Sequence, residues 1–206
     1  DAHPDLAIPP ETGFLVPLAG PDRPRDAVAF VELVSGFPPG LPSWPDFGLD
    51  AGALLRSVER LRPFDPAEAV RCFYRAYAER QGKPRWGDKT PGYHASMPQI
   101  LALLPEARFV HVVRDPRDVV VSWRRQWFAP SRDAGALAAE WRRTVEGVRS
   151  ARGAGVPVLE VRFEDLIRDP AAALRRVCAH VGLDLRPTML AHHERAAARL
   201  AEHRGR

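Results

Sequence analysis

The chain has 206 residues, of which 45% are hydrophobic and 27% charged, a composition typical of a folded domain and not of a disordered chain. Its basic residues are two lysines and 28 arginines, but the formal net charge is only +4. Because acidic residues are interspersed with the arginines, the charge pattern does not favour a nucleic-acid-binding protein. Apolar runs are too short for a transmembrane helix, and the two cysteines form neither a disulfide framework nor a zinc site, which favours a reducing cytoplasm.

Residues 1–64 are rich in proline and irregular, with a short first strand predicted at Leu6–Ile8. We interpret residues 12–64 as an irregular or helical insertion within a single domain that covers residues 1–206. A clear helix start follows at Asp65–Glu68, where aspartate is the N-cap, proline takes the first helical position and glutamate the third. Apolar residues recur at helical spacing after it, which predicts a helix that ends near Gly82.

From residue 85 onward, predicted strands and helices alternate. Strands are predicted at Arg85–Asp88, Arg108–Val113 and Val156–Phe163, and helices at Pro98–Leu104, from Asp115-Pro116, at Ala134–Ala151, from Asp169-Pro170 to Val181, and after Pro187. This alternation predicts an α/β fold whose parallel sheet is covered on both faces by helices. In such sheets ligands bind beyond the carboxyl ends of the strands, so candidate site residues are sought there.

The end of the strand at 108–113 carries a candidate anion site. Arg114 follows this strand, Asp115 caps the next helix, and Ser122 lies nearly two full turns beyond Asp115. The Ser122 hydroxyl is therefore expected on the same side of the helix as Asp115, about 10 Å along its axis. An arginine fork and a hydroxyl beside a helix start suit a phosphate. The residues alone equally allow Arg114 to pair with a carboxylate and Ser122 to be an ordinary surface residue.

The segment Val113–Ser122 closely resembles the segment by which sulfotransferases hold the 3′-phosphate of 3′-phosphoadenylyl sulfate (PAPS). Other segments extend the resemblance in the expected order over nearly the whole chain: Asp1–Asp5 with Glu11-Thr12, Trp86–Pro91, and Val161–Leu166 with Asp169-Pro170. The first of these is most similar to tyrosylprotein sulfotransferases and their bacterial relatives. The resemblance implies a three-layer α/β/α fold with the topology of P-loop nucleotide hydrolases.

The resemblance also implies roles for individual residues. Arg114 and Ser122 match the ligands of the 3′-phosphate, and Phe163 stands where the tyrosylprotein branch has an aromatic residue, so it is a candidate contact of the nucleotide or a core residue. Glu11 matches the catalytic glutamate of that branch and is the candidate base. Lys89 is the candidate cation for charge on the transferring group, and a lysine kept in so arginine-rich a chain favours a role for a point charge.

Two parts of the family pattern are missing from the sequence. The phosphate loop would precede Asp1, and no G-x-x-x-x-G-K-[ST] motif or comparable glycine-rich turn occurs. The basic segment that closes over the nucleotide would follow the region resembling Thr188–Arg195. We therefore expect a partial domain that lacks its first strand and phosphate loop, binds PAPS weakly or not at all, and exposes an unpaired sheet edge.

The sequence thus predicts a cytoplasmic, bacterial-type enzyme that moves a sulfuryl group from PAPS to an unidentified hydroxyl or amine, with residues 12–64 on the acceptor side. No metal is expected, since His192 and His193 are adjacent and would point about 100° apart on a helix. Neither a nucleic-acid partner nor a membrane span is expected. Two alternatives remain at this stage, a P-loop small-molecule kinase and a non-catalytic anion-binding domain.

Overall fold

The computed structural model describes residues 2–40 and 43–191, and the chain divides into two compact units. The first unit runs to Pro105 and includes the chain from Arg186 onward, and the second is Glu106–Leu185. His192, His193 and the expected closing segment beyond them lie outside the described residues.

The first unit contains two short strands and most of the helices. Its elements are β1 (Leu6–Ala7), α1 (Leu15–Leu18), α2 (Ala27–Ser35), α3 (Trp44–Phe47), α4 (Ala51–Val58), α5 (Pro66–Arg80), β2 (Arg85–Trp86), a 3₁₀ helix (Pro91–Ser96), α6 (Met97–Leu103) and α11 (Pro187–Leu190). The helices α1 to α4 occupy much of the segment 12–64. The strand predicted at Leu6–Ile8 and the one predicted at Arg85–Asp88 both form, each two residues long.

The two strands of the first unit pair in parallel, with Leu6 opposite Arg85 and Ala7 opposite Trp86. Backbone hydrogen bonds from Arg85 to Asp5 (3.0 Å) and from Gly87 to Ala7 (2.9 Å) complete the ladder. Because parallel strands run in the same direction, the segments that leave their carboxyl ends begin side by side. The segment after β1 leads to Glu11, and the segment after β2 leads to Lys89.

Helix α5 packs into the interior of the first unit through apolar residues that recur at helical spacing. Every apolar position predicted for its buried face is buried: Ala69, Val70, Phe73, Tyr74 and Tyr77. The ring of Phe73 contacts those of Phe14 (centroids 4.9 Å apart) and Phe47 (5.2 Å), both at near-perpendicular angles. Edge-to-face aromatic pairs of this kind add to the stabilisation from area burial. Packing of this apolar face thus fixes the rotation of α5 and turns Tyr74 towards the interior of the first unit.

The second unit comprises β3 (Phe109–Val113), α7 (Pro116–Trp123), α8 (Ala134–Gly153), β4 (Val158–Arg162), α9 (Phe163–Arg168) and α10 (Pro170–Val181). Its strands pair in parallel over their full length, from Phe109 opposite Val158 to Val113 opposite Arg162. All strand pairing in the described residues is therefore parallel, as the sequence predicts, although the four strands form two separate pairs and not one continuous sheet.

The strand β3 is less buried than its continuous apolar sequence predicts. Val110 and Val112 remain 37% and 50% exposed, whereas the residues that alternate with them, Phe109, His111 and Val113, are partly buried. The expectation of a strand covered on both faces was wrong here. Successive side chains of a strand point to opposite faces, and the alternating exposure of β3 shows that one face is covered less than the other. A run of apolar residues is compatible with burial of both faces but does not supply the elements that would cover them.

Candidate functional site

The two residues proposed for the chemistry, Glu11 and Lys89, contact each other. The Lys89 Nζ donates a short hydrogen bond to the Glu11 Oε1, and the pair is solvent-accessible, with side chains 63% and 36% exposed. The contact joins residues far apart in sequence, because each follows one of the paired strands β1 and β2. The structure therefore brings the candidate base and the candidate cation together.

A buried polar cluster lies beside this pair, formed by Thr12, Tyr74, Asp88 and Tyr93, and is called the Thr12 cluster below. The Asp88 Oδ2 accepts hydrogen bonds from the Thr12 hydroxyl and from the Tyr74 hydroxyl, both at 2.7 Å. The Thr12 hydroxyl is also 2.6 Å from the Tyr93 hydroxyl, which in turn accepts from the Leu15 backbone N–H at 3.2 Å. Thr12, Tyr74 and Tyr93 are all buried, so the cluster is shielded from solvent.

Burial governs the protonation of this cluster. The pKa of Asp88 is raised above 3.8, chiefly because burial disfavours the carboxylate, and the hydrogen bonds from Thr12 and Tyr74 offset this only in part. Burial likewise raises the pKa of Tyr74, and the nearby Asp88 carboxylate adds to the effect. Both tyrosines therefore stay protonated at neutral pH and act as hydrogen-bond donors.

In the second unit, Arg114 and Phe163 are in contact at the carboxyl ends of β3 and β4. The Arg114 guanidinium lies over the Phe163 ring, 4.9 Å from its centroid, in a cation–π arrangement. The Arg114 Nη2 donates to the Asp118 Oδ2 at 3.1 Å, one turn into α7. In the described residues Arg114 thus pairs with a carboxylate, while Ser122 lies exposed near the end of α7. This pairing is the alternative to a phosphate site that the sequence analysis allows.

The N-terminus of α7 is capped by carboxylates of the protein itself. The Asp115 Oδ1 accepts from the Arg117 backbone N–H (2.9 Å), and the Glu164 Oε1 accepts from the Asp115 backbone N–H (2.8 Å). Arg117 also forms a two-pronged side-chain pair with Asp115, which lowers the pKa of Asp115 to about 2. An anion bound at this loop would therefore contact side chains and not these two backbone amides. Arg114 is more available to it than Arg117, which Asp115 holds through two side-chain hydrogen bonds.

Sequence reasoning missed the Thr12 cluster and the part of Glu164 in holding the Arg114 loop. Thr12 directly follows Glu11, and Asp88 directly precedes Lys89. The signal that could have found them is the parallel pairing of β1 and β2, which places the two following segments side by side. The Glu164 carboxylate reaches the backbone of Asp115, 49 residues earlier in the chain, a contact that the local sequence does not indicate.

Comparison with known proteins identifies the family. A model described as "Sulfotransferase family" matches residues 1–187. The chain therefore belongs to the sulfotransferase family, and the resemblance seen in the sequence is confirmed. Family membership argues against the P-loop kinase alternative.

Individual relatives share between 17% and 27% sequence identity with this chain. The curated Nodulation protein NoeE of Sinorhizobium fredii (strain NBRC 101917 / NGR234) is 27% identical, and the match covers 88% of this chain and 45% of that protein. The sulfotransferase domain from the Synechococcus PCC 7002 olefin synthase superposes with a TM-score of 0.59 at 21% identity, over 92% of this chain and 68% of that one. The sulfotransferase domain from the curacin biosynthetic pathway superposes with a TM-score of 0.52 at 17% identity, over 71% and 55%.

These structural likenesses show the fold, an α/β fold with the P-loop-like topology of sulfotransferase domains, as predicted. The chain spans less than half the length of the curated relative that it matches. Within residues 2–40 and 43–191, no helix is both long and apolar enough to cross a membrane. The same residues contain no group of three or more His, Cys, Asp or Glu side chains that could hold a metal ion.

Proposed function

We propose that this chain transfers a sulfuryl group from PAPS to a hydroxyl or amine of an acceptor molecule. The observation that carries the proposal is the contact between Glu11 and Lys89, which places a carboxylate and a primary ammonium within one hydrogen bond of each other. Sulfuryl transfer needs a group that takes the acceptor's proton and a cation that stabilises negative charge on the transferring group and the leaving phosphate. The pair supplies both kinds of group.

In the proposed reaction, Glu11 takes the proton from the acceptor O–H or N–H as its oxygen or nitrogen attacks the sulfur. The bond between sulfur and the bridging phosphate oxygen breaks, and adenosine 3′,5′-bisphosphate leaves with the electron pair of that bond. Lys89 donates hydrogen bonds to the oxygens on which negative charge builds up. Glu11 thus acts as a general base and Lys89 by electrostatic stabilisation, and alignment of the reacting groups contributes as in the related case of phosphoryl transfer.

We assign the 3′-phosphate of the donor to Arg114 and Ser122, with Phe163 as a further nucleotide contact. Arg114 holds Asp118 through an exposed pair, with side chains 42% and 57% accessible. Exposed ion pairs of this kind contribute only about 0.2–1 kcal/mol to stability. A phosphate, which can accept two hydrogen bonds from one guanidinium, can therefore replace Asp118 as the partner of Arg114. The Phe163 ring packs against one face of the Arg114 guanidinium through the cation–π contact.

A transfer assay tests the proposal. Radiolabelled PAPS is offered with a panel of phenols, glycans and tyrosine peptides, and sulfated product is measured. We expect transfer by the wild type and a loss of about 100-fold in kcat for Glu11→Gln, because the amide cannot take the proton. Donor binding should be retained in this variant. Full turnover by Glu11→Gln would show that Glu11 is not the base, and transfer from ATP with Mg²⁺ but not from PAPS would favour a kinase.

Donor binding is tested separately with adenosine 3′,5′-bisphosphate by calorimetry. We expect Arg114→Ala to weaken binding by about tenfold or more, because a charge-assisted contact to the 3′-phosphate is lost. Arg117→Ala is the matched control, since it removes a nearby arginine in the first turn of α7 that is engaged by Asp115. Equal losses in the two variants would mean that general positive charge, and not Arg114 itself, holds the nucleotide.

A further inference from the structure

The Glu11–Lys89 pair is exposed, and exposed ion pairs on their own are weak and mobile. A lysine side chain has many rotamers, so a lasting contact requires that the two backbones be held in a fixed register. The first unit contains a group of side chains that can do this. They are buried, and they join the two segments that carry the pair.

Thr12 makes contacts with the residues on both sides of Lys89. Its hydroxyl donates to the Asp88 Oδ2 (2.7 Å), and its backbone N–H donates to the Thr90 Oγ1 (3.1 Å). Because Glu11 immediately precedes Thr12, these two bonds place Glu11 opposite Lys89. The register of the pair thus depends on one threonine and its two partners.

The remaining members of the Thr12 cluster fix the direction of the Thr12 hydroxyl. Its single proton is donated to Asp88, so the nearby Tyr93 hydroxyl donates to it in turn, and Tyr93 accepts from the Leu15 N–H. Tyr74 occupies a second lone pair of the Asp88 Oδ2, and its ring stacks on Trp86 of β2 with centroids 4.5 Å apart. A connected and buried network of this kind resists rearrangement.

The backbone after Thr12 is equally restricted. Gly13 has a φ of +73°, a left-handed conformation that favours glycine, and a Cβ at this position would lie 2.6 Å from the Phe37 ring. A larger residue would therefore be strained at position 13, where the chain turns from Glu11-Thr12 towards α1.

We propose that Thr12 and Asp88 are positioning residues that hold Glu11 and Lys89 in contact, a role that rests on the proposed function of that pair. Neither residue needs to touch a substrate. Removing the Thr12 hydroxyl would leave the β1–β2 ladder and the backbone bond to Thr90 in place, but it would remove the direct link to the residue before Lys89. Glu11 and Lys89 would then be held less closely and would meet less often.

The chain offers a direct readout of this contact, because Lys83 and Lys89 are its only lysines. In the 206-residue chain with ¹³C- and ¹⁵N-labelled lysine, NMR gives two sets of side-chain signals, which Lys89→Arg assigns. Glu11→Gln marks the signal position of Lys89 without its partner. Lys83 is an internal reference, since its Nζ donates to the Leu6 carbonyl (3.0 Å) away from the pair.

We expect Thr12→Val, which keeps the shape but removes the hydroxyl, to move the Lys89 signal most of the way to its position in Glu11→Gln. Thr12→Ser, which restores the hydroxyl, should return the signal towards the wild-type position, and Lys83 should not move. Asp88→Ala breaks the same link from the other side and serves if Thr12→Val does not fold. A folded Thr12→Val and a folded Asp88→Ala that both keep the wild-type Lys89 signal would overturn the proposal.

In the transfer assay, Thr12→Val should lower kcat by about tenfold with little change in the KM for the donor, and Thr12→Ser should recover most of it. Val58→Ala is the matched control for stability, because Val58 is fully buried in α4 of the same unit and outside the cluster. A loss of kcat in Val58→Ala equal to that in Thr12→Val would assign the effect to stability. Absence of transfer by the wild type would refute the proposed function and leave the NMR result to decide the positioning role.

Discussion

At the scale of single residues, the candidate site combines exposed charges with buried hydrogen bonds. Glu11, Lys89 and Arg114 are accessible to a ligand, whereas Thr12 and Tyr74 are buried behind the first two. Exposed charges contribute little to stability, and buried polar groups destabilise the fold unless they are paired. Substitution of the exposed charges should therefore change the free energy of unfolding little. Substitution of the buried Thr12 or Tyr74 should lower it more.

The raised pKa of Asp88 leads to a prediction about pH. The folded chain binds a proton at Asp88 more tightly than the unfolded chain, so the contribution of Asp88 to stability is full below 3.8 and declines as the pH rises through the raised pKa. Asp88→Asn removes the buried charge, and its amide oxygen can still accept from Thr12 and Tyr74. We expect the free energy of unfolding of Asp88→Asn, relative to wild type, to increase as the pH rises above about 4.

Urea unfolding at a series of pH values measures this difference. Asp26→Asn is a suitable control because it makes the same substitution at an exposed helix cap outside the Thr12 cluster. Parallel stability curves for wild type and Asp88→Asn would contradict the burial of a titrating carboxylate at this position.

At the scale of elements, three helices begin with the same Asp-Pro signal, and all three starts were predicted from it. Asp65, Asp115 and Asp169 are the N-caps of α5, α7 and α10, and each side chain accepts a hydrogen bond from a backbone N–H of the first turn. Proline at the first helical position lacks the N–H that would otherwise need a partner. This local chemistry explains why the helix starts were predictable to within a residue.

The cap of α5 gives a prediction for stability. Asp65→Ala should lower the free energy of unfolding by about 1 kcal/mol, because the Ala67 N–H loses its acceptor. Asp65→Asn should stay close to wild type, since asparagine caps helices about as well as aspartate. Thermal and urea unfolding of the three proteins would measure this. A loss in Asp65→Asn as large as that in Asp65→Ala would assign the effect to charge at the helix start and not to the cap.

At the scale of the whole molecule, the order of strands and helices and the buried face of α5 could be predicted, because both depend on neighbours in sequence. The Thr12 cluster could not, since the side-chain contacts of Thr12 join residues 62 to 81 positions apart. The partner of Arg114 was also open, because Asp118 and a phosphate compete for one guanidinium and the energies differ little. The exposure of Val110 and Val112 depends on which face of β3 other elements cover, which the strand sequence does not encode.

The carboxylate caps on α7 have a consequence for how this domain can change over generations. Phosphate sites made of backbone amides survive most side-chain substitutions, because every residue except proline supplies the same N–H. Here Asp115 and Glu164 already occupy amides at the start of α7, so the proposed nucleotide site depends on the side chains of Arg114 and Ser122. A single codon change at either position could therefore abolish donor binding while the fold persists, so a related domain can lose its activity and still keep the same architecture.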